Sequence, residues 1–199
     1  MKASFTKRFV SYLIDIIIVF MLATFITSFV PTSEKAKTLT EEMSQTMKVE
    51  TEDEATLKQQ LAKTQEITYE LSKETVISSL LTITTYILYF VVLPVYNKGQ
   101  TLGKKLMKLK ISNVKEKELT INNMLYREMI LHNILINIIS TVLVIVLNKK
   151  QFIMSNYILS CIQMMFFVII IIMIVVRKDG RGLHDIIGNT IVINEEVQK

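Results

Sequence analysis

Apolar residues in this chain gather into four long runs. They do not recur at the period of an amphipathic helix or a half-buried strand. The runs cover about 9–30, 76–96, 129–147 and 157–176. A bilayer span needs roughly 20 predominantly apolar residues, and each run is of that length. The last is the plainest, with FFVIIIIMIVV at its centre. A soluble helical core is a poor account, because helices apolar all round over such lengths have no polar face for water. The pattern therefore predicts an all-α membrane protein, a four-transmembrane-helix bundle in a single domain, 1–199.

The polar stretches predict the rest of the architecture. Residues 31–75 form a loop with Glu50, Glu52, Asp53 and Glu54 at its middle. Within it Leu57, Leu61, Thr64, Thr68 and Leu71 recur at alternating steps of four and three, with a weaker stripe at Met43 and Met47. That spacing predicts a helix with one apolar seam. With no proline or glycine between Thr32 and Pro94, this helix starts near Ala55 and runs into the second span. A shorter helix from about Glu34 to Met47 packs against it, giving an outer helical hairpin. After the second span, TLGKKLMKLKI puts Leu102, Leu106 and Leu109 on one helical face. Lys104, Lys105 and Lys108 are left for anionic lipid headgroups. After the fourth span, RGLHDIIGNTIVI has a similar leucine-led start and a β-branched end. Two helices followed by a cytoplasmic tail, twice over, suggest a weak internal duplication.

Charge orients the bundle. All four arginines (Arg8, Arg127, Arg177, Arg181) fall near span ends on one side, together with a lysine-rich loop that includes Lys115 and Lys117. Basic residues mark the cytoplasmic side, so both termini are expected there and the acidic loop outside, in a cell membrane. Lys149 and Lys150, between the third and fourth spans, stand against this assignment. The formal net charge of +5 fits loops facing anionic lipid, and no nucleic-acid partner is expected. The first run has the basic start of a signal peptide, but it is too long for an h-region, contains Asp15 and lacks a clear cleavage site. Cys161, the single cysteine, sits inside a span and reads as a small apolar residue.

Few residues carry chemistry. Asp15 lies roughly 9 Å into the first span, at 1.5 Å per residue. A carboxylate at that depth needs a partner or water. Arg127, His132 and Asn133 enter the third span from the same side, so the sequence predicts a polar cluster of Arg8, Asp15, Arg127, His132 and Asn133, with Asn137 sharing the Asn133 face. Such a cluster either glues helices together or marks an ion path. In the tail, Asp185 beside His184 reads as a helix cap or a partner of Arg181 one turn back. No metal, cofactor or nucleophile motif is present, and neither a cofactor nor an enzymatic activity is expected.

Taken together these residues resemble the RDD family of bacterial membrane proteins, which is named for an arginine and two aspartates. KRFVSYLID supplies Arg8 and Asp15, GRGLHDIIGNTIVI supplies Asp185, GQTLGKKLMKLKI matches the stretch after the second span, and Arg127 matches a charged entry to the third. The resemblance covers 6–30 and 76–193 and leaves 31–75 as an insertion. It implies transport of ions or small solutes, including sodium–proton exchange. For some members it implies a role as partner or regulator of other membrane proteins. Two functions are therefore expected. One is transport, with Asp15 as the titrating carboxylate in a homo-oligomer. The other is a non-catalytic membrane partner, regulator or immunity protein, binding through the outer loop. The spans show no paired glycine or proline breaks, which favours the second.

Overall fold

The computed structural model describes residues 3–48, 53–115 and 118–195. Glu50 and Glu52 of the acidic loop, and Glu116 and Lys117 of the lysine-rich loop, lie outside the described residues. The chain runs α1 (Phe5–Thr27), α2 (Glu34–Met47), α3 (Glu54–Glu74), α4 (Val76–Ile87), a π-helical segment (Leu88–Val92), α5 (Leu93–Tyr96), α6 (Leu102–Leu106), β1 (Leu109–Asn113), α7 (Ile121–Leu131), α8 (Ile134–Val146), α9 (Lys149–Val176), α10 (Leu183–Ile187) and β2 (Thr190–Asn194). Three helices are long and apolar enough to cross a membrane: α1, the Val76–Tyr96 helix and α9. The pair α7 and α8, bent by 69°, makes a fourth if counted as one span. Most apolar side chains of α1, α8 and α9 face outward, as lipid-facing surface does. The buried stripe of α1 is Ser11, Asp15, Val19 and Ala23 at i, i+4 spacing.

Caps move the span limits from their expected places. Ser4 accepts the Lys7 N–H and starts α1 early. Asn148 accepts the Gln151 N–H, so α9 begins at Lys149 instead of near 157. The extra turns run alongside α3, where Tyr69 packs on Phe152 with ring centroids 5.5 Å apart and donates to the Leu147 carbonyl at 3.1 Å. Lys149, which stood against the orientation, pairs with Glu66 of α3 at 2.9 Å.

The outer hairpin forms with α2 at its expected bounds. Asp53 caps α3 by accepting the Thr56 N–H at 2.9 Å. The helix does not pass straight into the second span, because Thr75 leaves helical geometry at φ −102°, ψ 15°. The expected seam is not the packed face either. α2 and α3 bury Ala36, Thr46, Ile67 and Tyr69, whereas Leu57, Leu61 and Met47 are 46 %, 53 % and 68 % exposed.

Two breaks occur where no break was expected. Pro94 sits in α5 behind the π segment, whose wider turn absorbs the proline's missing N–H and its clash with the preceding turn. The third span bends at Asn133, which takes the left-handed conformation at φ 53°, ψ 28°.

The tails add a two-stranded antiparallel sheet to the all-α expectation, with Ile111 opposite Val192 at its centre. Ala3 donates to the Val192 carbonyl at 3.2 Å, so both ends of the chain meet at one face of the bundle, the terminal face. The main apolar core lies there, with Val91, Leu109, Met124 and Ile134 under the sheet. Each strand follows a five-residue helix. Positive-φ residues recur at one fixed offset in the two tails, Gly99 with Gly180 and Lys108 with Asn189. The expected duplication is therefore visible in backbone conformation, where residue identity is weak.

Candidate functional site

The expected single cluster is two separate locks, with Glu128 joining Arg127 to His132 along α7. Asp15 is fully buried on the inner stripe of α1. It accepts from Tyr89 Oη at 2.7 Å, Thr101 Oγ1 at 2.6 Å and the Gly103 N–H at 2.8 Å. Its cation is Lys104, with Nζ at 3.4 Å, and neither Arg8 nor Arg127. The π segment turns Tyr89 inward. A Cβ on Gly103 would stand 2.5 Å from the Ser11 carbonyl oxygen, so glycine lets α6 press against α1. Lys104 is thus corrected from a headgroup lysine to a buried one, because its ammonium is drawn into the site by Asp15. Lys105 and Lys108 remain exposed.

Asp185 makes the second lock. It binds Arg127 through Oδ1 and Arg8 Nη1 through Oδ2 at 3.4 Å, and accepts the Gly182 N–H at 3.2 Å and Thr190 Oγ1 at 3.3 Å. It therefore caps α10 as expected. Its expected partner Arg181 instead donates to two backbone carbonyls, those of Asp185 and Thr190. Arg8 also donates to the Gly180 and Val192 carbonyls, at 2.6 and 3.0 Å, which ties the start of α1 to the tail. Burial alone would raise the Asp185 carboxyl. Arg127, His184 and Arg8 outweigh it and hold that carboxyl well below the usual carboxylate range. Burial pushes the His184 imidazole down to about 4, against the pull of Asp185.

The bridge is Glu128, which the sequence did not single out. Arg127 Nε donates to its Oε1 at 2.9 Å, and its Oε2 lies 2.5 Å from His132 Nδ1. The i, i+4 spacing of Glu128 and His132 was the available signal. His132 stacks on Phe90 with centroids 3.6 Å apart and on Tyr12 at 5.5 Å. Asn133 joins no lock and serves as the bend.

A cavity of about 530 Å³ has His132 in its lining. Ser78, Thr82, Asn137, Ser140 and Gln163 line it, and it reaches Thr27 and Ser79 near the opposite ends of α1 and α4. His132 Nε2 is buried without a hydrogen-bond partner among the described residues. The RDD family profile matches residues 2–189, nearly the whole chain. The chain belongs to the RDD family. In this RDD protein Arg8 meets Asp185 directly, while Asp15 stands in a lock of its own with Lys104. No curated protein and no solved structure matches the chain. Among the described residues, no group of three or more His, Cys, Asp or Glu side chains is placed to hold a metal ion.

Proposed function

We propose that this RDD protein moves protons or a small cation across the membrane, holding the charge at the Glu128–His132 pair. The observation that carries this reading is the polar cavity lined by His132, whose Nε2 is buried without a hydrogen-bond partner among the described residues. Ionisable groups at membrane depth are costly, and they are found where they serve a path or where they are paired. Asp15 is saturated by four partners and reads as helix glue. His132 has one nitrogen engaged by Glu128 and the other left for water or a solute in the cavity. Beyond Glu128 the way to the terminal face is closed by Arg127, whose guanidinium cannot relay a proton. Arg127 is shared between Glu128 and Asp185, so its release from Glu128 is the gating step of this reading.

The basic terminal face is the cytoplasmic side of a cell membrane in this reading, and Lys105 and Lys108 meet anionic headgroups there. Reconstitution into liposomes with an imposed pH gradient tests the proposal. Wild-type protein should dissipate the gradient, and His132→Gln and Glu128→Gln should not. Asp15→Asn should keep flux per folded molecule. Wild-type flux in His132→Gln would overturn the assignment.

A second reading rests on the exposed Met47, Leu57 and Leu61 of the hairpin, which would suit recognition of another membrane protein. Deleting residues 34–73 separates the two. Retained flux supports the cavity as the working part. Loss of a co-purifying membrane protein, in a chain that conducts nothing, supports recognition.

A further inference from the structure

The second cavity of the molecule is a crevice of about 410 Å³ between α1 and α9, on the terminal-face half of the bundle. α1 packs mainly on α4 and α6, and α9 on α8 and α3, which leaves the gap between them. Phe9 and Leu13 form one wall, Phe167 and Ile171 the other, and Ile130 of α7 the floor. Phe9, Leu13 and Phe167 are also exposed on the outer surface, so the crevice opens sideways into the surrounding lipid. Its volume is within the roughly 300–1,000 Å³ of small-molecule sites.

The other end of the crevice is polar. Arg8, Lys104, Arg127 and His184 line it, and among the described residues no aspartate or glutamate does. Two nitrogens of these lining side chains, Arg8 Nε and His184 Nδ1, are buried and have no hydrogen-bond partner among the described residues. Their side chains are 9 % and 3 % exposed. Arg8 Nε–H can only donate. His184 turns Nε2 toward Asp185 Oδ2 at 3.4 Å, which leaves Nδ1 to accept. An occupant that satisfies both brings an anionic oxygen, a hydroxyl and a hydrocarbon chain.

We propose that this crevice binds an anionic phospholipid with a hydroxylated headgroup, of the phosphatidylglycerol kind. Its phosphate accepts from Arg8, its headgroup hydroxyl donates to His184, and one acyl chain lies between α1 and α9. The surrounding bilayer is the source, because the mouth of the crevice faces lipid. Tyr12, Leu131 and Asn133 line both this crevice and the His132 cavity, but lipid retention is measured without flux, so its outcome is distinct from that of the transport reading.

Native mass spectrometry of the full chain, with phosphatidylglycerol or phosphatidylcholine added in mild detergent, tests this. Wild-type protein should retain one phosphatidylglycerol under activation that strips phosphatidylcholine. Ile171→Trp fills the crevice and should weaken retention roughly tenfold, about 1.4 kcal/mol. Ile172→Trp, on the exposed side of the same helix, should leave retention unchanged. Equal retention of the two lipids, or unweakened retention in Ile171→Trp, would overturn the proposal. If Ile171→Trp does not fold, phosphatidylglycerol with a photoreactive acyl chain decides the matter on wild-type protein. Adducts confined to residues 5–13 and 167–174 support the site, and adducts equally frequent on α8 refute it.

Discussion

At the residue scale, the buried charges occur as pairs whose members depend on each other. Removing one partner of a buried pair leaves an uncompensated charge and costs about 3–5 kcal/mol. Asp15→Leu should therefore lower the thermal stability of the purified protein by about 3 kcal/mol, and Asp15→Leu with Lys104→Met should recover most of it. Failure of the double variant to recover would mean that Tyr89, Thr101 and Gly103, not Lys104, set the value of Asp15. His184 gives a pH signature. Its folded-state value of about 4 lies below the ordinary 6.5, so the unfolded chain takes up the proton first as pH falls. Stability should drop between about pH 6.5 and 4, by an amount on the order of 3 kcal/mol. The depressed Asp185 carboxyl extends the loss to lower pH, because its contribution is present above the unfolded carboxylate value near 3.9 and disappears as it protonates. Unfolding curves of His184→Gln across that window should be flatter than those of wild type. Sequence alone marked Asp15 and His132 because polar groups inside an apolar run stand out, and Arg8, Arg127 and Asp185 from their places at span mouths and in the tail motif. It could not pair them. Lys104 looked like one lysine of an interfacial face, since helical periodicity reports on one helix and carries nothing about a carboxylate facing it from another.

At the element scale, the two breaks decide what faces inward. The π segment at Leu88–Val92 brings Tyr89 to Asp15 and Phe90 to His132. The bend at Asn133 turns α8 away from α7, and Asn133 itself lines both cavities. Asn133→Gly should keep stability and flux, since glycine takes positive φ freely. Asn133→Val should cost about 1–2 kcal/mol and reduce flux, because a β-branched residue resists the left-handed conformation. Equal behaviour of the two variants would show that the bend does not depend on that conformation. The apolar runs were legible from their length, and the hairpin helices from a stretch free of proline and glycine, although the seam read there is not the packed face. The tail segment was legible only in part: Leu102 and Leu106 lie in α6, but Leu109 begins β1 and does not share their helical face. The bend was not legible. Asparagine tolerates positive φ but is common elsewhere, and no proline or glycine marks the place. The strands were half legible, in the β-branched end of the second tail, while their pairing joins residues far apart in the chain.

At the scale of the whole molecule, the two tails are variants of one unit. Each leaves its span through a positive-φ glycine, turns once as a short helix and ends in a strand. Lys104 and Asp185 occupy equivalent places in the two short helices. Each pairs with the first helix of its own half, Lys104 with Asp15 of α1 and Asp185 with Arg127 of α7. The halves thus use opposite charges for the same fastening. Arg8 crosses from the first half to Asp185 of the second and closes the terminal face. Between the halves, the cavity leads from the hairpin side to His132. The central claim is that this cavity is wet within the membrane and reaches that histidine. The most direct test is thiol accessibility in liposomes, in a Cys161→Ser background that removes the single native cysteine. Asn137→Cys, which lines the cavity, should react with a small membrane-impermeant methanethiosulfonate reagent on the order of tenfold faster than Ile145→Cys, which lies on the exposed apolar surface of α8. Equal, slow labelling of both positions would contradict the account.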